Sequence, residues 1–267
     1  MSWDQLLDVA IKAARRAGEL QLRYFQKGFK VEYKGEINLV TEVDKLCEQE
    51  IVEYIRSHYP DHGVLTEEGL FEGVSHTDVP CLWIIDPLDG TTNYAHGYPV
   101  FSVSIALQVR GELVLGVVFD PTRDELFWGF KGKGSYLNGE RLRVSRTSRL
   151  SKGLLATGFP YDLKEDPVNN LDHFNRMIMK AQAIRRGGSA ALDLCYVAAG
   201  RLDGFWELKL SPWDIAAGIL IVREAFGRVT DFDGHPIGPY SREVVASNGL
   251  IHEEMLEVLR YGKRPTT

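Results

Sequence analysis

The 267-residue chain is poor in cysteine, in long apolar runs and in clustered charge of one sign. Its three cysteines, Cys47, Cys81 and Cys195, are odd in number and far apart, which excludes a disulfide framework and a cysteine metal site. That usage suits a reducing cytosol, so a cytoplasmic location is expected. No stretch approaches the ~20 apolar residues of a membrane span. The opening residues interleave Asp4, Asp8, Lys12 and Arg15 with apolar side chains, which argues against a secretory leader. Basic residues occur only in short pieces such as Arg15-Arg16 and Arg185-Arg186, and the formal net charge is −6. Both facts argue against direct, nonspecific nucleic-acid binding. Internal repeats and low-complexity linkers are missing too, so two halves of the chain would share a tight interface.

What remains is an ordinary globular composition, 44% hydrophobic and 25% charged, with material for a sizeable core. Apolar residues from Trp3 to Ala17 recur at helical spacing, and a second amphipathic helix is predicted from Thr41 to Pro60. Leu82 to Ile85 reads as a short buried strand. From Phe101 the period becomes two, with hairpin signals at Arg110-Gly111 and Asn138-Gly139. The first ~145 residues therefore read as helices on a largely antiparallel sheet. Beyond Ser145, strands and helices alternate, with helices predicted over 168–182, 189–199 and 211–227, which implies an α/β second half.

The stretch WIIDPLDGTTNYAHGYPVFSVSIAL, residues 83–107, carries the chemistry. An apolar segment runs into Asp86 and Asp89, and Pro87, lacking an N–H, is expected to help end the strand. Gly90 lets the backbone approach a ligand. Thr91, Thr92 and Asn93 suit the start of a helix, whose N–H groups favour phosphate. Two carboxylates at ~4 Å repel by about 4 kcal/mol at an effective dielectric of 20, so a cluster of them must hold protons or cations. Oxygen ligands without histidine or cysteine point to magnesium rather than zinc. Each acid also has a plainer reading. Asp-Pro-x-Asp-Gly is a common turn. Glu67-Glu68 suits a solvated loop, and Asp44 and Asp214 suit helix caps after Thr41 and Ser211.

TEEG at 66–69, the 83–107 stretch and SPWDIAAGILIVREAFGRVTD at 211–231 together resemble the inositol monophosphatase family of metal-dependent phosphatases, in its bacterial style. NLVTEVD at 38–44, YLNGERLRVS at 136–145 and GSAALDLCYVAAGRLDGFWE at 188–207 fall in the matching order, so the resemblance spans nearly the whole chain. It implies an α/β fold, a five-layer αβαβα sandwich. Residues 1–145 would carry most metal ligands, and 146–267 would carry Asp214 and Glu207, in one compact unit. Two or three Mg2+ ions would be held by Glu67, Asp86, the Leu88 carbonyl, Asp89 and Asp214. Glu67, Thr91 and Asp44 would be the catalytic residues, with Thr91 orienting the attacking water and Asp44 as its partner. The Gly90 and Thr91 amides would hold phosphate, and Glu207 the substrate hydroxyls, with Ser189, Ala190 and Asp214 alongside. Lys34 would approach from the loop before Asp44. The implied reaction is hydrolysis of myo-inositol monophosphate by metal-activated water. Fructose 1,6-bisphosphate, adenosine 3′,5′-bisphosphate and histidinol phosphate are alternative substrates of related enzymes. The resemblance further implies a homodimer, inhibition by lithium and, from bacterial relatives, a partner in the transcription or RNA-processing machinery.

Overall fold

The computed structural model describes residues 2–25, 27, 31–33, 39–69 and 79–260. Lys34 lies outside the described residues. The chain runs through α1 (Trp3–Phe25), β1 (Val31–Tyr33), β2 (Leu39–Thr41), α2 (Glu42–His58), β3 (Gly63–Thr66), β4 (Cys81–Asp89) and α3 (Thr91–Ala95). Five antiparallel-paired strands follow, β5 (Ser102–Val109), β6 (Glu112–Asp120), β7 (Glu125–Phe130), β8 (Gly134–Leu137) and β9 (Glu140–Arg141). Then come β10 (Leu154–Thr157), α4 (Leu171–Ile178), β11 (Ala183–Arg185), α5 (Ala190–Ala198) and β12 (Gly204–Leu208). The chain closes with α6 (Pro212–Glu224), β13 (Arg228–Thr230), β14 (Glu243–Ser247) and α7 (His252–Arg260).

Among the described residues, two large sheets and three helical layers result, beside a two-stranded antiparallel pairing of β1 with β2. Strands β3 to β9 form one sheet in sequential order, with only β3 and β4 parallel. The second sheet has the order β11-β10-β12-β14-β13, parallel at β11-β10-β12 and antiparallel beyond. Side chains alternate across each strand, and that alternation separates the cores. On β4, Trp83 and Ile85 pack with α1 and α2, whereas Leu82 and Ile84 pack with α5 and α6. On β12, Phe205 faces α5 and α6, whereas Trp206 faces the outer core containing α7 residues. Helix α4 packs beside α7. The layers are therefore α1–α2, sheet, α5–α6, sheet, α4–α7, the five-layer sandwich that the resemblance implies.

Two local expectations are corrected. Pro87 does not end the strand, because β4 continues through Asp89. Asp86 pairs with Ser104 and Asp89 pairs with Ser102, so three steps on β4 span two on β5. This is a bulge of one extra residue. It falls at Pro87 and Leu88, where the missing proline N–H removes one ladder bond anyway. Strand β3 escapes sequence reading because four residues are too few to show alternation. The helix predicted over 168–182 is confined to Leu171–Ile178.

Candidate active site

The bulge aims both aspartates the same way. In a regular strand, residues three apart point to opposite faces. The extra residue restores an effective spacing of two, so Asp86 and Asp89 both face the α5–α6 layer, as Ser102 and Ser104 opposite them do. Both acids are buried, Asp86 to 2% exposure. Ser104 Oγ donates to the Trp213 carbonyl at 3.2 Å, which brings the start of α6 to this face.

Asp214 is then delivered by its cap. Ser211 and Asp214 form a reciprocal capping box at the start of α6, with the Ser211 N–H donating to Asp214 Oδ2 at 2.7 Å. Asp44 is fixed the same way at α2, where the Thr41 N–H donates to its Oδ2 at 2.8 Å. The plain capping reading of both acids is therefore correct, and each still reaches the site. Thr91 Oγ1 stands 3.0 Å from Asp44 Oδ1 and 3.0 Å from the Leu88 carbonyl oxygen. Asp89 Oδ2 accepts from the Ser189 hydroxyl at 2.5 Å and the Ala191 N–H at 2.9 Å, at the start of α5. Gly90 sits at φ +99°. A Cβ there would lie 2.9 Å from the Val100 carbonyl oxygen, so no other residue fits this turn.

Glu67, Asp86, Leu88, Asp89, Gly90, Thr91, Glu207 and Asp214 all line one cavity of about 520 Å³. Ser189 and Ala190 line a smaller, adjoining cavity of about 120 Å³, which Asp89, Glu207 and Asp214 share. Asp44 is buried behind Thr91.

The electrostatics are those of carboxylates crowded out of water. Burial, then the neighbouring Glu67, Asp89 and Asp214, pushes Asp86 well above the usual carboxylate range. Burial pushes Asp89 up to about 6, restrained by the Ser189 hydroxyl and the Ala191 amide. Burial, then Asp89, pushes Asp214 up to about 8. Burial, then Asp193, raises Glu207 to about 8. Among the described residues, no three Asp, Glu, His or Cys side chains close on a single point by themselves. Asp86 turns Oδ1 to the Leu88 amide (2.9 Å) and Asp214 turns Oδ2 to Ser211, so each keeps an oxygen for the cavity. No described histidine or cysteine lines the cavity, and the carboxylates of Glu67, Asp86, Asp89 and Asp214 with the Leu88 carbonyl fit a hard divalent cation completed by water.

A model of the inositol monophosphatase family matches residues 2–263. The chain belongs to that family. Nus factor SuhB of Pseudomonas aeruginosa is 45% identical over 261 residues, covering 96% of each chain. A solved inositol monophosphatase from Anabaena is 44% identical, with a TM-score of 0.88 over 97% of this chain and 96% of that one. The extragenic suppressor protein suhB of Bartonella henselae is 39% identical, with a TM-score of 0.90 over 97% and 99%. The two solved structures match nearly the whole chain, so both large sheets belong to a shared fold.

Several cavity residues escaped sequence reading, Asp193, Arg186, Tyr161, Lys209 and Arg242 among them. Asp193 carried a signal, since it lies one helical turn beyond Ser189 and so shares its face. Arg186, Tyr161 and Lys209 also line the two cavities. The last two come from irregular segments, which carry no period to read.

Proposed function

We propose that this inositol monophosphatase family member is a magnesium-dependent phosphomonoesterase that hydrolyses myo-inositol monophosphate to inositol and phosphate. The convergence of Glu67, Asp86, Asp89 and Asp214 on one cavity carries this reading. Those four carboxylates and the Leu88 carbonyl would hold two or three ions. When bound, Mg2+ supplies Lewis-acid stabilisation of phosphoryl charge and makes water a better nucleophile at neutral pH.

The chain's own groups do the positioning. Thr91 Oγ1 has two protein acceptors and one hydrogen, so its hydroxyl donates inward. Its oxygen is left to accept from the attacking water, and Asp44 fixes that orientation. Glu67 lines the same cavity and would share the proton released. The Gly90 and Thr91 amides would face phosphate oxygens, with Ser189 and Ala190 bracing Asp89 beside them. Glu207 would accept hydrogen bonds from substrate hydroxyls, with Asp214 alongside. Lys34 would bind the substrate from the chain segment before Asp44, as the family resemblance implies. The protein would work in the cytoplasm as a lithium-sensitive homodimer.

Phosphate release from myo-inositol 1-phosphate, with and without Mg2+, tests the proposal. A fructose 1,6-bisphosphate arm separates the nearest alternative substrate. Turnover unaffected by chelation, or no turnover with any ester, sinks it.

A second reading has support in the name Nus factor borne by the Pseudomonas relative. A transcription partner would bind the folded surface and need not disturb the acids. Co-purification of transcription proteins with an Asp89→Asn protein would show the two roles to be separable.

A further inference from the structure

The segment from Gly158 to Asn170 roofs the two cavities with its first residues, Gly158 to Asp162, and its placement has a cause. At one end, Asn170 is fully buried. Its amide donates to the Gly158 carbonyl at 2.6 Å and to Thr157 Oγ1 at 2.7 Å, and its Oδ1 accepts from the Trp206 indole at 2.8 Å. Further along, Lys209 Nζ donates to Asp162 at 2.7 Å and to Asp166 at 2.6 Å. Lys209 adopts φ +63°, a left-handed conformation that glycine would take more cheaply. A lysine persists there because its ammonium clamps the roof to the segment between Glu207 and Asp214.

Tyr161 hangs from this roof. It lines both cavities, and the residue is 55% exposed. Its hydroxyl end lies beside Thr92, in electrostatic range of Glu67, Asp214 and Asp89. Tyr161 thus shares both cavities with Glu207, Asp89 and Asp214, where the alcohol part of a phosphate ester would lie. An aromatic face offers little to a flexible, fully hydrated chain. It offers apolar contact to the C–H face of a ring, with the hydroxyls left at the rim for Glu207.

We infer that Tyr161 is a specificity-determining platform that favours phosphate esters of cyclic alcohols over acyclic ones, and that Lys209, through Asp162 and Asp166, is the positioning residue that holds it in place. The inference rests on the phosphatase reading above.

The test compares Mg2+-dependent phosphate release from myo-inositol 1-phosphate and from glycerol 2-phosphate. Tyr161→Ala raises KM for the inositol ester about three- to tenfold, the worth of one aromatic contact, and leaves glycerol 2-phosphate within about twofold. Tyr161→Phe keeps the wild-type preference because it keeps the ring. Lys209→Gly shifts KM in the direction of Tyr161→Ala with kcat retained and no loss of thermal stability, since glycine relieves the backbone while the clamp is lost. Equal change on both esters in an active Tyr161→Ala protein overturns the inference alone. Wild-type protein that releases phosphate from neither ester overturns the phosphatase reading, and the inference with it.

Discussion

The Thr91 hydroxyl and the Asp44 carboxylate, 47 positions apart in the chain, meet at 3.0 Å where the starts of α2 and α3 converge. Asp44 also completes the α2 capping box, so one carboxylate closes a helix with Oδ2 and orients a hydroxyl with Oδ1. Thr91→Val removes the hydroxyl and keeps the shape. It should lower kcat about 10²-fold, the low end for a positioned proton-transfer group, with Mg2+ binding intact. Phosphate release and the Mg2+-induced rise in Tm measure the two separately. A variant with normal kcat would mean that the hydroxyl only holds the fold.

The buried acids make stability depend on pH when no ion is bound. Asp89 at about 6 and Asp214 at about 8 lie above their ordinary value of 3.8, so the metal-free fold binds protons more tightly than the unfolded chain. Their contribution is complete below pH 3.8 and is lost as pH climbs through 6 and 8. Added Mg2+ replaces those protons, so its Tm gain should be larger at pH 8.5 than at pH 6. Thermal unfolding with EDTA or Mg2+ at the two pH values decides it, and a pH-independent gain counts against the ion site.

Asp89→Asn withdraws one charge from that cluster while keeping an acceptor for Ser189 and Ala191. The protein should stay folded, with a metal-free Tm at pH 8 no lower than wild type. The Mg2+-induced gain and most phosphatase activity should vanish. Normal Mg2+-dependent turnover in this variant would refute the assignment of Asp89 as an ion ligand.

Glu207 lies against Gly158 so closely that a Cβ there falls within 2.3 Å of both carboxylate oxygens. Gly158→Ala must therefore displace Glu207, at a cost of about 1–3 kcal/mol for overpacking. It should raise KM for myo-inositol 1-phosphate more than for a small aryl phosphate, as Glu207→Ala should. Equal loss on both esters would argue that Glu207 does not read hydroxyls.

Far from the cavity, His252 is fully buried between Thr230 Oγ1 (2.9 Å) and Ser247 Oγ (2.8 Å). Burial lowers it from 6.5 to about 4. The depressed value means that the neutral ring is stabilising above pH 6.5, and that this stability fades as pH falls towards 4. The full loss amounts to about 3 kcal/mol. Urea unfolding of wild type and His252→Gln should show the wild-type advantage shrinking across that range. Parallel pH profiles for the two proteins would show that His252 is not the titrating group.

Local spacing by itself determined the helices, the hairpins and the capping roles of Asp44 and Asp214, because an acid three places after Thr41 or Ser211 meets the cap within the same turn. The ordered set of short stretches likewise determined the family. Only the tertiary structure decided that β4 bulges at Pro87, since a bulge exists in the pairing of two strands and not in either one. The same holds for Ser189 reaching Asp89 across 100 residues, and for Tyr161 and Lys209 at the cavity. Contacts within a helical turn follow from its pitch, whereas contacts between layers follow from how the sheets stack, and no short window of residues encodes that.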